Sequence, residues 1–269
     1  MKIKNCKEKT ISILGCGWFG LALAKQLFAT GYSVNGSTTT TEKLQSLSEN
    51  NINPYLINFT SETVSADKTF FEADALFICI PPKRNSTELQ NFPNKIKLIL
   101  EASKGKAKQV ILISSTSVYG EDNKIVNENS ETKPDTDSGK VVLASEQILT
   151  DFLPNNYTVI RFAGLIGPGR NPGRFFAGKR NIPNGLAPVN LIHQSDAVGI
   201  AVSILEHQAF GRIYNACSTA HPSKKDFYTK AARESGLIEP EFLNEKTSWK
   251  IVESLNVSEF LEYEFEMMI

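Results

Sequence analysis

The strongest constraint in this 269-residue chain is a hexapeptide near its start, Gly15-Cys16-Gly17-Trp18-Phe19-Gly20. It follows a short apolar run, Ile11 to Leu14, and opens a segment of helical period from Phe19 to Ala29. A strand that turns into a helix through such glycines aims the first helical amides at one spot, which suits an anion. Gly15 permits the tight turn, Gly17 lets a diphosphate approach the backbone, and Gly20 lets the helix lie close on the sheet. A second apolar run at Tyr32 to Asn35 completes the span of a strand-helix-strand unit. These six residues are the expected grip on a cofactor.

Further apolar runs lie at Pro54 to Asn58, Ala75 to Ile80, Val110 to Ser114 and Thr158 to Phe162. Segments of helical period separate most of them, at Thr41 to Ser48, Glu88 to Ala102 and Val141 to Phe152. Alternation of this kind implies an α/β chain with a Rossmann-type, doubly wound parallel sheet covered on both faces. Residues 1–163, completed by parts of 189–216, are the expected dinucleotide-binding domain. Residues 164–188 and 217–269 are the expected small, C-terminal substrate-binding lid. The stretch from Gly164 to Gly185 holds six Gly, three Pro and four Arg or Lys, which predicts a mobile or ligand-shaped loop. Regular structure is expected again at Val189 to Ile192, Ser195 to Glu206, Arg212 to Asn215 and Ser223 to Ser235; the final thirty residues give no sharp signal.

Where a carboxylate at the end of the second strand would mark NAD, the chain carries Gly36-Ser37-Thr38-Thr39-Thr40-Thr41, with no acid before Glu42. Hydroxyls donate to a 2′-phosphate, so Ser37, Thr38 and Thr39 favour NADP(H) over NAD(H). The run equally suits a cap for the next helix, which Thr41 can supply. Pro81, Pro82 and Ser114, at the ends of two later strands, join the expected cofactor contacts.

Lys plus Arg and Asp plus Glu each total 29, and no basic stripe interleaves with aromatics, so nucleic acid is not an expected partner. Cys6, Cys16, Cys79 and Cys217 lie far apart without ligand spacing, which argues against a metal site or a disulfide framework. Lys2 to Lys9 before an apolar run outlines a secretory leader, and Leu14-Gly15-Cys16 suggests lipoprotein cleavage. Cleavage would destroy the glycine loop, so a cytoplasmic protein without a membrane span is expected, monomeric or homodimeric, acting on a small molecule.

Ser114-Ser115-Thr116-Ser117-Val118-Tyr119-Gly120 resembles the SSxxVYG segment of the extended short-chain dehydrogenases/reductases, the NAD-dependent epimerase/dehydratase family. Arg161-Phe162 to Gly169, Asn190 to Ala197 and Gly211 to Asn215 resemble further elements of that family, in order. The resemblance implies a catalytic Ser or Thr at Ser115. It also implies a Tyr-x-x-x-Lys pair, in which the lysine lowers the phenol's pKa. That pair is missing: no tyrosine from Tyr32 to Tyr228 has a lysine four residues on, and Ser138 and Val142 occupy the two places. The chain therefore resembles an atypical member of the family. Tyr119 and Lys140 are the candidate substitutes beside Ser115, against the readings that Tyr119 shapes a pocket and Lys140 is a solvated helix-start lysine. His193, Lys83, Arg84, Arg170, Arg174, Lys179 and Arg180 carry the same ambiguity. Two functions compete: an NADP(H)-dependent reductase or epimerase of a small polar, possibly nucleotide-sugar, substrate, and a non-catalytic dinucleotide sensor.

Overall fold

The structure is a computed structural model describing residues 9–60, 64–82, 88–154 and 156–267. Cys6, Lys83 and Arg84 lie outside the described residues. Seven strands form one sheet: β1 (Thr10–Leu14), β2 (Ser33–Thr38), β3 (Asn53–Leu56), β4 (Ala75–Ile78), β5 (Gln109–Ser115), β6 (Tyr157–Phe162) and β7 (Ile213–Ala216). Their order is β7-β6-β5-β4-β1-β2-β3. Parallel registers align Leu14 with Ile78, and Ile78 with Leu112. Gly15, Cys79 and the end of β5 therefore share one carboxyl edge, and the strand order reverses between β1 and β4, where doubly wound sheets bind ligands.

Among the described residues, seven α-helices accompany the strands: α1 (Trp18–Ala29), α2 (Glu42–Glu49), α3 (Phe92–Ser103), α4 (Asp137–Phe152), α5 (Gln194–Glu206), α6 (Lys224–Glu234) and α7 (Leu255–Leu261). All four residues of β4 are buried, as expected of an inner parallel strand covered on both faces. The expected strand ends move by no more than three residues. Two helix starts move further. Pro93 seeds α3 in its first turn, so the helix begins at Phe92 rather than Glu88. The Thr136 hydroxyl accepts the Gly139 amide at 3.1 Å, which starts α4 at Asp137 rather than Val141.

The chain divides into two compact units. The first comprises the described parts of Met1–Ser114, Lys140–Ile160 and Ile204–Arg212; the second is Ser115–Gly139, Arg161–Ser203 and Ile213–Ile269.

Within the second unit the stretch expected to be mobile or ligand-shaped is hydrogen-bonded to a later segment of the same unit. Gly and Pro disfavour long helix there, leaving one 3-10 turn at Pro172–Arg174, but permit extended pairing, and Ile182 gives its amide to Glu241 while accepting from Leu243. Gly178 and Gly185 extend this ladder to Ile238 and Leu243. Phe176, Phe227 and Phe242 gather around Tyr228, with Phe176 at 4.7 Å between ring centres. The unsignalled C-terminal region holds a strand, Lys250–Val252, parallel to Lys124–Val126, followed by α7. Beyond α7, the buried Asp196 carboxylate accepts the Tyr263 hydroxyl at 3.0 Å and the Glu266 amide at 2.8 Å. Gly199 leaves room for the Tyr263 ring, whose hydroxyl oxygen would lie 2.3 Å from any Cβ there.

Candidate dinucleotide site

The glycine loop has the geometry its spacing predicts. Gly15 has φ +100°, a conformation that disfavours side chains, and a Cβ on it would stand 2.9 Å from Ile80 Cγ2. A Cβ on Gly20 would fall 2.2 Å from the Gly15 carbonyl oxygen, so α1 can lie this close only with glycine. By contrast, a Cβ on Gly17 would meet nothing within 4 Å, which leaves open space on that side of the loop. Gly17 is also the N-cap of α1; it brings no side-chain cap, and no acid sits in the first turn. An anion is the group such a helix start is built to accept. Trp18 is half-buried and Phe19 buried, both on the first turn.

Strand β2 forms the second wall of this loop. The buried Ser37 hydroxyl accepts the Gly15 amide at 2.9 Å, and the Ser37 carbonyl accepts the Cys16 amide at 2.8 Å. Gly36 makes room for the Cys16 thiol, whose sulfur would lie 2.8 Å from a Cβ there. Burial pushes the Cys16 thiol up to about 12, so it stays protonated at neutral pH and fills space rather than reacting. Thr38 accepts the Thr40 amide at 3.1 Å, and Thr39 stands exposed at the strand's end. The serine-threonine run thus splits its tasks: the Ser37 oxygens hold the loop, Thr38 holds the turn, and Thr39 faces outward. Sequence reasoning placed Ser37 on the ligand and missed its hold on the loop, since nothing in a one-dimensional pattern pairs residues 15 and 37.

The other expected contacts distribute unevenly. Pro81 and Pro82 follow β4, with Pro81 exposed. Ser114 is buried and donates its hydroxyl to the Glu146 carboxylate of α4, so that proton is already committed. Ser115 accepts the Ser117 amide at 3.2 Å, capping the short turn Thr116–Val118. Among the described residues its own proton has no acceptor. Lys140 stands exposed in the first turn of α4.

Tyr119 lies wholly inside the second unit at 1% exposure. Its hydroxyl accepts from Arg161 Nη1 at 2.6 Å and stands 3.0 Å from the Asn127 carbonyl and 3.1 Å from Asn215 Oδ1, either of which takes its proton. Burial pushes this phenol's pKa up, partly offset by the Arg161 charge. A phenol enclosed in this way is placed to shape the unit rather than to pass a proton to a substrate. Lys250, 131 positions away and unmarked in the sequence, donates to the Tyr119 carbonyl at 2.6 Å.

Glu128 belongs to the same network. Its carboxylate accepts the Asn215 amide at 2.8 Å, and the Leu255 and Asn256 amides at 3.0 and 3.2 Å, which places a negative charge on the start of α7. Desolvation nonetheless holds its pKa above the ordinary 4.5. A raised folded-state pKa means that the native state binds more protons, so this group's contribution is present at low pH and fades as pH climbs through the folded value. The melting temperature of wild type should therefore fall relative to that of Glu128→Gln as pH is raised from about 4.5. A flat or rising difference would contradict this assignment.

The comparisons agree with this geometry. Residues 10–117 match a family described as NADP oxidoreductase, coenzyme F420-dependent. UDP-glucuronic acid 4-epimerase from Bacillus cereus, solved in complex with NAD, superposes with a TM-score of 0.80 at 20% identity, over 96% of this chain and 94% of that one. A functionally unknown conserved protein from Silicibacter pomeroyi superposes at 0.76 with 21% identity and the same coverage. No helix among the described residues is long and apolar enough to cross a membrane. Protein YeeZ of Escherichia coli (strain K12) is 35% identical over 264 residues, 96% of each chain. With the fold of the epimerase-type short-chain dehydrogenases/reductases and this full-length relationship, the chain belongs to the YeeZ family.

Proposed function

We propose that the protein binds a nicotinamide dinucleotide, NADP(H) in preference to NAD(H), and acts as an oxidoreductase or epimerase on a small polar substrate. One observation carries the cofactor: an uncapped helix start behind Gly17, open to solvent and walled by Gly15, Gly20 and Ser37. The NADP oxidoreductase match over residues 10–117 supports the same reading, as do neighbours solved with NAD. Absence of a carboxylate from Gly36 to Thr41 supports the phosphorylated form, with Thr39 and Lys43 as donors to a 2′-phosphate. Ser115, whose proton has no acceptor among the described residues, is the proposed donor to the reacting oxygen. Residues 164–188 and 217–269 are the proposed substrate region, with nucleotide sugars the first class to try.

A second reading follows from a specific observation. The hydroxyl of Tyr119 is enclosed, Lys140 is exposed, and Ser138 and Val142 replace the family's pair. This arrangement fits a protein that reads the dinucleotide without turning it over.

Fluorescence titration with NADPH and NADH tests the cofactor. Saturable binding of both, tighter for NADPH, is expected, and no binding of either would overturn the whole reading. Loss of nicotinamide absorbance in the presence of sugar nucleotides or carbonyl compounds, abolished by Ser115→Ala, would separate the enzyme from the sensor.

A further inference from the structure

Two amides of the glycine loop are taken by one residue of the neighbouring strand. Ser37 accepts the Gly15 amide on its hydroxyl oxygen at 2.9 Å and the Cys16 amide on its carbonyl at 2.8 Å. Its side chain is only 2% exposed, yet among the described residues its hydroxyl proton has no acceptor. A hydroxyl that accepts one amide keeps its proton for a further acceptor. Ser37 lies at the carboxyl end of β2, the strand that faces the adenosine half of a dinucleotide in a sheet wound like this one.

We infer that Ser37 is a positioning residue that ties the two halves of the dinucleotide site together. Its oxygen fixes the turn at Gly15, and its one remaining proton is offered to an acceptor oxygen on the adenosine side of the ligand. A hydroxyl that donates becomes a better acceptor, so filling the adenosine side tightens the hold on Gly15. Binding and loop order are thereby coupled through a single oxygen. Gly36 completes the wall: a Cβ there would meet Ile52 Cγ2 at 2.6 Å and the Cys16 sulfur at 2.8 Å, which would force the loop outward.

This inference rests on the dinucleotide reading, and the experiment keeps the two apart. Wild type, Ser37→Ala, Ser37→Cys and Ser37→Thr are titrated with NADPH and NADH, and their apo melting temperatures are recorded. Ser37→Ala should weaken both ligands about tenfold, the scale of one lost hydrogen bond in a buried site. Ser37→Cys, near in shape but a poor acceptor, should behave like Ser37→Ala. Ser37→Thr, which keeps the hydroxyl, should return to within about threefold of wild type. If wild type binds and a folded Ser37→Ala or Ser37→Cys binds equally well, Ser37 has no positioning role. Failure of Thr to restore binding in a variant that melts like wild type would overturn it too. If wild type binds neither nucleotide, the dinucleotide reading itself fails and takes this inference with it.

Discussion

Gly20→Ala should cost the protein about a hundredfold in dinucleotide affinity, the scale on which a displacement of about 1 Å disrupts an aligned site. Helix propensity alone predicts the opposite sign, because alanine inside an exposed helix is worth about 1 kcal/mol over glycine. Packing decides the matter here. The new Cβ would stand 2.2 Å from the Gly15 carbonyl oxygen and 3.2 Å from Ile13 Cγ2, and neither a main-chain oxygen nor a buried β1 side chain can swing aside. The turn must move, and the Gly15 amide moves with it, away from Ser37. Gly17→Ala is the matched control, since its Cβ meets nothing within 4 Å. That variant should melt like wild type while losing affinity, because the added methyl occupies the space a diphosphate needs. Calorimetry with NADPH on the two variants checks both halves, and a Gly20→Ala protein that is stabilised and binds normally would refute the tight turn.

Tyr119→Ala should cost the fold about 3–5 kcal/mol, the range for deleting a large buried ring. Tyr119→Phe separates the hydroxyl from the ring and should cost about 1–3 kcal/mol, because Arg161 loses an acceptor at 2.6 Å and one of the Asn127 and Asn215 oxygens loses its donor. The Arg161 guanidinium also lies 5.1 Å from the ring centre, so part of the loss in the alanine variant is cation–π attraction. Denaturant melts of the three proteins measure these differences. Were Tyr119 instead a proton donor, Tyr119→Phe would keep its stability and lose only turnover.

These two residues also mark what the sequence made legible. The loop at Gly15 to Gly20 was readable because every part of it is local: strand, turn and helix follow one another within twenty residues, and each glycine has a geometric reason visible in the spacing. The sheet was readable because its inner strands, such as Ala75–Ile78, are continuous apolar runs. In the second unit the elements at Leu191–His193, α5, Ile213–Ala216 and α6 were readable as well, but its C-terminal region was not, for the opposite reason. Lys250–Val252 and α7 are too short to show a period, and what places them is a set of side chains far upstream. Asn190 donates to the Lys250 carbonyl at 2.9 Å, and Glu128 reaches Leu255 across 127 positions. Arg161 was noticed only as part of a family motif, although a charge at 3% exposure is the kind of group that must find partners. The pairing of the glycine-rich loop was not readable, because Gly and Pro say nothing about which residues, here 238–243, an extended segment will meet.

Asp196 holds the amides of Glu266 and Met267, about seventy positions downstream, together with the Tyr263 hydroxyl above Gly199. During synthesis the buried carboxylate therefore waits, without its native donors, until those residues have left the ribosome. The glycine loop takes its ties from Ser37 and from Cys79 and Ile80 at the end of β4, all within the first eighty residues, and can close early, since domains order from the amino terminus as they emerge. A ribosome stalled between Ser203 and Tyr263 should thus display a nascent chain with its phosphate grip assembled and its second unit still open to proteases.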